Sequence, residues 1–233
     1  GLGRRFAKVL AACGAKVAIT GRRVERLNAL AEEIRASGGI CEPIVIDMTS
    51  RTSIREALAQ AQQKLGTVQI LVNNAGMSPL YESPSAVTED LWRKVIDVNL
   101  TGPWRLSALV GERMKQAGSG SIINLGSVGW MMASAGYPVY AASKAAAHGM
   151  TRALARELGP DRIRVNTLVP GWVMTEKQLA MWVDDAAKDL IARSQCLPGS
   201  VLPEHIANMA LFLASDASAM CSAQNFIVDG GWV

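Results

Sequence analysis

Metal ligands and disulfide partners are scarce in this chain of 233 residues, which has two histidines and four cysteines (Cys13, Cys41, Cys196, Cys221), none in a Cys-x-x-Cys pair. That spacing argues against a structural metal site, and the cysteines read as core thiols of a reducing compartment. No apolar run approaches the ~18 residues of a membrane span, and no basic segment leads into an apolar stretch at the start. No run of Lys and Arg forms a stripe, and a net charge of +4 is small for this length. Nucleic-acid and polybasic membrane signatures are therefore missing. The expectation is a cytoplasmic protein with neither nucleic-acid nor membrane partners. An initiating methionine is also missing: Gly1-Leu2-Gly3 leads at once into a helical pattern with Phe6, Val9 and Leu10 on one face. This reads as a chain cut just after its first strand, because a sheet without that central strand would leave buried groups unpaired at about 1–3 kcal/mol each.

What is present is a large apolar content, 49%, with no composition break, which implies one domain over residues 1–233. Short apolar runs at 15–20, 43–47, 69–72, 121–125, 162–168 and 225–228 read as strands. Between them lie helical patterns, at 23–36, from Thr49 or Ser50 through Leu65, at 89–114, 138–158 and 203–215. Pro138 suits a first helical turn and Gly159-Pro160 a stop. Strands alternating with helices at this spacing predict an α/β fold, a doubly wound, three-layered, Rossmann-like parallel sheet whose first strand and part of whose glycine turn are missing. Ligands of such sheets sit at the carboxyl ends of the strands. Periodicity weakens over 170–203, although 175–194 has helical composition, so this segment is expected to form a lid.

The chemistry-bearing residues cluster in Ser127-Val-Gly-Trp-Met-Met-Ala-Ser-Ala-Gly-Tyr-Pro-Val-Tyr140-Ala-Ala-Ser-Lys144. Tyr140 and Lys144, four apart in a helix, share a face. A phenol titrates near ~10, and a neighbouring ammonium lowers that value. Reaching ~7 takes about 4 kcal/mol, more than one exposed pair supplies; a nicotinamide cation would add to it. Alone, Tyr-x-x-x-Lys is equally a solvated surface pair. Ser127 ends a predicted strand, where its hydroxyl can bind a carbonyl or alkoxide. Asn73-Asn74-Ala75-Gly76 follows another strand, Asn99 sits in Asp97-Val98-Asn99, and Pro170-Gly171-Trp172-Val173-Met174-Thr175 follows the strand after the Tyr140 helix.

In this order and spacing the motifs resemble the short-chain dehydrogenase/reductase family over essentially the whole chain. The resemblance implies that Tyr140 is the general acid/base, Ser127 orients substrate, Lys144 holds the nicotinamide ribose and lowers the Tyr140 pKa, and Asn99 supports a proton-relay water. It also implies that Asp47 meets the adenine, that Asn74, Ala75 and Gly76 line the adenine ribose, and that Pro170, Gly171, Val173 and Thr175 lie along the nicotinamide amide and phosphates. The family's Thr-Gly-x-x-x-Gly-x-Gly turn is reduced here to Gly1 and Gly3. The bland readings are a strand-end turn for Asp47 and a helix N-cap for Thr175. Gly21 takes the place of the carboxylate that favours NAD, and Arg22 follows it, so NADP is the expected cofactor with NAD possible; a solvated arginine pair is the alternative.

The closing segments, Gln195-Cys-Leu-Pro-Gly-Ser-Val-Leu-Pro-Glu-His-Ile-Ala and Asp229-Gly-Gly-Trp-Val, and also Trp130, are similar to the branch that oxidises aldoses to lactones. Trp130 and Trp172 then become substrate candidates, with core burial the alternative. Against that branch, Met77-Ser78-Pro79-Leu80 is less polar than a sugar site suggests; a carbonyl or 3-oxoacyl thioester reductase of the same family is the second reading, and a non-catalytic nucleotide-binding relative is the third. His148 and His205 read as structural. The partners implied are a small alcohol or carbonyl substrate and, through the small-residue Ala141–Ala147 stretch, a homodimer or homotetramer.

Overall fold

The computed structural model describes residues 1–133 and 135–233. Ser134, inside the Ser127–Lys144 stretch, lies outside the described residues. The chain runs α1 (Leu2–Ala12), β1 (Val17–Gly21), α2 (Val24–Ala36), β2 (Cys41–Val45), α3 (Arg51–Leu65), β3 (Ile70–Asn73), α4 (Glu89–Ile96), α5 (Gly102–Ala117) and β4 (Gly120–Leu125). It continues through α6 (Pro138–Leu158), β5 (Ile163–Pro170), α7 (Glu176–Met181), α8 (Asp185–Ser194), α9 (Pro203–Ala214) and β6 (Asn225–Val228). Every strand pair is parallel. The strands are hydrogen-bonded in two groups, β1–β2 and β3–β4–β5–β6.

Alternation along the strands decides which helices cover which face, since successive side chains point to opposite sides. Ile123 and Leu125 of β4, with Leu168 of β5, pack against Ile206, Ala207, Ala210 and Leu213 of α9 and Phe6 of α1. Ile122, one residue along, joins Ile163 and Val165 against Val110 and Met114 of α5 and Leu154 and Leu158 of α6. Each fully buried Leu or Ile contributes about 1.5–3 kcal/mol, so these two faces hold the layers together far more than helix propensity does. No helix among the described residues is long and apolar enough to cross a membrane.

Local signals set most boundaries. The Ser50 hydroxyl accepts Ser53 N–H to cap α3, and Thr88 does the same for α4 through Leu91 N–H. Gly38, at φ +83°, lets the chain turn out of α2. One expectation is corrected. The helix predicted to run unbroken over 89–114 is interrupted by a wide π turn, Asp97–Thr101. Pro103 has no N–H to return to the Asn99 carbonyl, and Gly102 N–H reaches back to Asp97 O instead. Gly102 also has to pass close to the end of β2: a Cβ there would stand 2.6 Å from Met48 O.

Candidate active site

The site forms where β3, β4 and β5 end. Pro138, which needs no N–H partner, starts α6, and the Tyr81 hydroxyl accepts the free Val139 N–H at 2.9 Å. Tyr140 and Lys144 follow on the next turns, on the helix face turned toward the strand ends. Lys144 is 5% exposed, donates to Leu125 O at 2.6 Å and lies 5.8 Å from the Tyr140 ring centroid. Burial pushes its ammonium down to about 8. Tyr140 is half-buried; desolvation raises its phenol, the Ser127 hydroxyl beside it pulls the other way, and neighbouring Tyr137 raises it further. Lys144 is thus close to Tyr140, yet among the protein's own groups burial of the phenol outweighs every lowering influence.

Ser127 follows β4, and its Oγ accepts Gly129 N–H at 3.1 Å, capping the short turn Val128–Trp130. Asn99 sits in the π turn, buried, with its amide clamped to one backbone unit. Its Oδ1 accepts Met77 N–H and its Nδ2 donates to Met77 O, each at 2.9 Å, and Nδ2 also donates to Ser143 Oγ at 3.0 Å. The Ser143 hydroxyl donates in turn to Tyr140 O at 2.7 Å. The loop after β3, the π turn and α6 are tied together through this one side chain. A Cβ on Gly76 would stand 3.6 Å from Asn99 Oδ1 and 3.8 Å from Lys144 Nζ, so the glycine keeps open the space beside both.

Comparisons with known proteins identify the family. A family described as Enoyl-(Acyl carrier protein) reductase matches residues 1–233. The chain belongs to the short-chain dehydrogenase/reductase family. It is 35% identical over 232 residues to the probable galactose dehydrogenase of Rhizobium meliloti (strain 1021), covering 99% of this chain and 90% of that one. To the D-xylose 1-dehydrogenase of Caulobacter vibrioides (strain NA1000 / CB15N) it is 40% identical over 177 residues, 76% of this chain and 71% of that one. The crystal structure of a gluconate 5-dehydrogenase from Burkholderia cenocepacia J2315 in complex with NADP and tartrate superposes with a TM-score of 0.92 at 31% identity, covering 100% of this chain and 91% of that chain. The chain is an oxidoreductase of this family, and its sugar-dehydrogenase branch is the part it resembles.

Several protein groups suit a short-chain dehydrogenase's dinucleotide. Lys144 has three donors and spends one on Leu125 O, leaving two for hydroxyl groups. Gly1 is the N-cap of α1, which has no acidic residue in its first turn and no side chain capping it, a setting that favours an anion. Gly3 packs directly on Asn74: a Cβ there would stand 2.7 Å from Asn74 Nδ2. Ala75 and Gly76 are exposed next to it. Asp47 accepts Thr49 N–H at 2.9 Å and Thr49 Oγ1–H at 2.8 Å. Those two bonds hold its carboxyl below the usual range, with a smaller pull from Arg22, which stays exposed after β1. Asp47 is a turn former as well as a cofactor candidate.

Toward α7, Pro170 ends β5 and Gly171 is wedged against Asp229, 2.5 Å from its Cβ if a methyl were added. Val173 is buried and bridges Val201. Thr175 is the N-cap of α7, accepting Gln178 N–H at 3.3 Å. Trp172 donates to Gln178 Oε1 at 2.9 Å and lies near Trp232, with ring centroids 6.3 Å apart. Trp130 turns instead to His148. His205 accepts Leu202 N–H through Nδ1 and so serves the start of α9.

Sequence reasoning missed a buried polar chain beneath the site. Asn73 Nδ2 donates to Ser107 Oγ and to Asn124 Oδ1, Asn124 Nδ2 donates to Thr151 Oγ1, and Thr167 Oγ1 donates to Thr151 Oγ1 at 2.8 Å. Polar residues inside apolar strands were the available signal, since each has to find a partner when buried. Tyr81 and Tyr137 were missed as well.

Proposed function

We propose that this oxidoreductase transfers hydride between NADP and a small alcohol or carbonyl, with an aldose oxidised at C1 to its lactone as the substrate reading. The observation that carries it is the convergence of the Tyr140 phenol, the buried Lys144 ammonium and the Ser127 hydroxyl at the carboxyl ends of β4 and β5, with sugar dehydrogenases among the relatives. When bound, the nicotinamide supplies the hydride acceptor. Ser127 donates to the substrate oxygen, and Tyr140 takes the hydroxyl proton as the carbonyl forms, or returns it in reduction. Lys144 holds ribose hydroxyls with its free donors, and its charge favours the phenolate. Asn99 positions the Met77 loop and, through Ser143, the backbone of Tyr140. Trp172 borders the substrate side, where an aromatic face packs on sugar C–H groups. Arg22 gives the 2′-phosphate of NADP a cation.

The test is steady-state turnover of the purified protein with NADP and NAD against D-xylose, D-galactose, L-arabinose and a set of simple ketones. The expected result is aldose-dependent reduction of NADP with higher kcat/KM than with NAD; turnover only of ketones would overturn the sugar reading. A second reading, a 3-oxoacyl thioester reductase, is favoured by the description of the matching family and by the exposed apolar side chain of Leu80. Reduction of an acetoacetyl thioester without aldose oxidation would support it.

A further inference from the structure

His148 is assigned no part in the reaction above, yet it lies on the same stripe of α6 as Tyr140, Lys144 and Thr151, at helical spacings of four, four and three. Its ring is buried, and Nε2 accepts the indole N–H of Trp130 at 3.3 Å. The two rings also meet edge to face, with centroids 5.0 Å apart and planes at 84°. A nitrogen that accepts carries no proton, so the imidazole is neutral with its hydrogen on Nδ1. Burial lowers the pKa of His148, which keeps that acceptor available at neutral pH.

The imidazole touches the Ser127 segment from both sides. Behind Ser127 stands Gly126, where an added Cβ would lie 2.8 Å from Thr167 Cγ2, 3.1 Å from Val169 Cγ2 and 3.2 Å from His148 Nε2, so the glycine lets the strand end pass close to β5 and to the ring together. Ahead of Ser127 stands the turn Val128–Trp130, capped by Ser127 Oγ itself and closed by the tryptophan that His148 holds. Trp130 is 36% exposed, and its indole N–H makes one directional bond, to His148, beside the edge-to-face ring contact. We propose that His148 is a positioning residue that, through the Trp130 indole, holds the Ser127 hydroxyl against Tyr140. This rests on the reading of Ser127 as the residue that orients the substrate oxygen and of Tyr140 as the acid/base.

Three variants separate a hydrogen bond from mere filling. His148→Leu keeps bulk without an acceptor, His148→Gln restores an acceptor oxygen, and Trp130→Phe removes the donor from a partly exposed place that leaves the core intact. At saturating substrate, His148→Leu and Trp130→Phe are each expected to lower kcat by about tenfold, as small misplacements of reacting groups do. His148→Gln is expected within about threefold of wild type, with KM for NADP unchanged in all three. The double variant Trp130→Phe/His148→Leu is expected to be no slower than either single, because one bond is lost once. Wild-type kcat in Trp130→Phe, multiplicative losses in the double variant, or equal losses in His148→Gln and His148→Leu would overturn the proposal. Should His148→Leu fail to fold, Trp130→Phe against His148→Gln decides. Hydrogen exchange of the Trp130 indole N–H, assigned by its loss in Trp130→Phe, is independent of turnover. Protection in wild type and His148→Gln is expected even if no substrate reacts, which would count against the reaction alone; rapid exchange in wild type would count against the bond.

Discussion

Tyr140 and Lys144 are under opposing forces that act on each side chain separately. Burial disfavours the charged form of both, raising the phenol and lowering the ammonium to about 8. Among the protein's own groups the balance at Tyr140 therefore favours the neutral phenol. In the proposed reaction a bound nicotinamide cation would add its charge to that of Lys144 and favour the phenolate that takes the hydroxyl proton. The folded value of Lys144 lies below the unfolded value of 10.5, so between about pH 8 and 10.5 the unfolded chain keeps a proton that the folded chain has released, and stability rises with pH. The penalty below pH 8 is about 3 kcal/mol at 1.36 kcal/mol per unit. Urea unfolding of wild type and Lys144→Met at pH 7.5 and 10.5 is expected to show the difference moving in favour of wild type by about that amount, and an unchanged difference would mean Lys144 is not titrating in this window.

At the scale of the element, α6 and the segment after β5 illustrate what a sequence displays and what it hides. Gly171 has no room for a methyl against the Asp229 backbone, 2.6 Å away at Cα. Gly171→Ala is expected to cost about 1–3 kcal/mol by thermal or urea unfolding, because β5 and the turn after β6 have to separate. Pro138 and Gly159 bracket α6, so the shared face of Tyr140 and Lys144 was legible from spacing. The π turn at Asp97–Thr101 was not, since Leu91, Val95, Val98 and Leu106 keep an apolar rhythm across it and only Pro103 hints at the break. The partners of Asn99 lie 22 residues back at Met77 and 44 ahead at Ser143, and Tyr81 caps α6 from 58 residues away. Such contacts depend on topology, which no local pattern encodes. The same holds for the Asn73–Asn124–Thr151–Thr167 chain: its members lie on three strands and a helix, and each reads locally as a minor polar interruption.

For the whole molecule, the parallel order of β3–β4–β5–β6 brings the ends of three strands and the start of α6 to one place, with α1 offering its amino end near Asn74. Ligand binding at that junction couples to folding. NADP at a hundredfold excess over its Kd is expected to raise stability by about 2.7 kcal/mol, and NAD at the same concentration by less. Differential scanning fluorimetry measures both, and a larger shift with NAD would contradict the role given to Arg22. The claim on which the reaction depends is that the Tyr140 hydroxyl carries the proton. It is tested most directly by kcat of Tyr140→Phe with NADP and the best aldose of the panel, alongside the Kd for NADP. A loss of kcat by about 10²–10⁴ with NADP binding retained is the predicted result; turnover within a few-fold of wild type would contradict it.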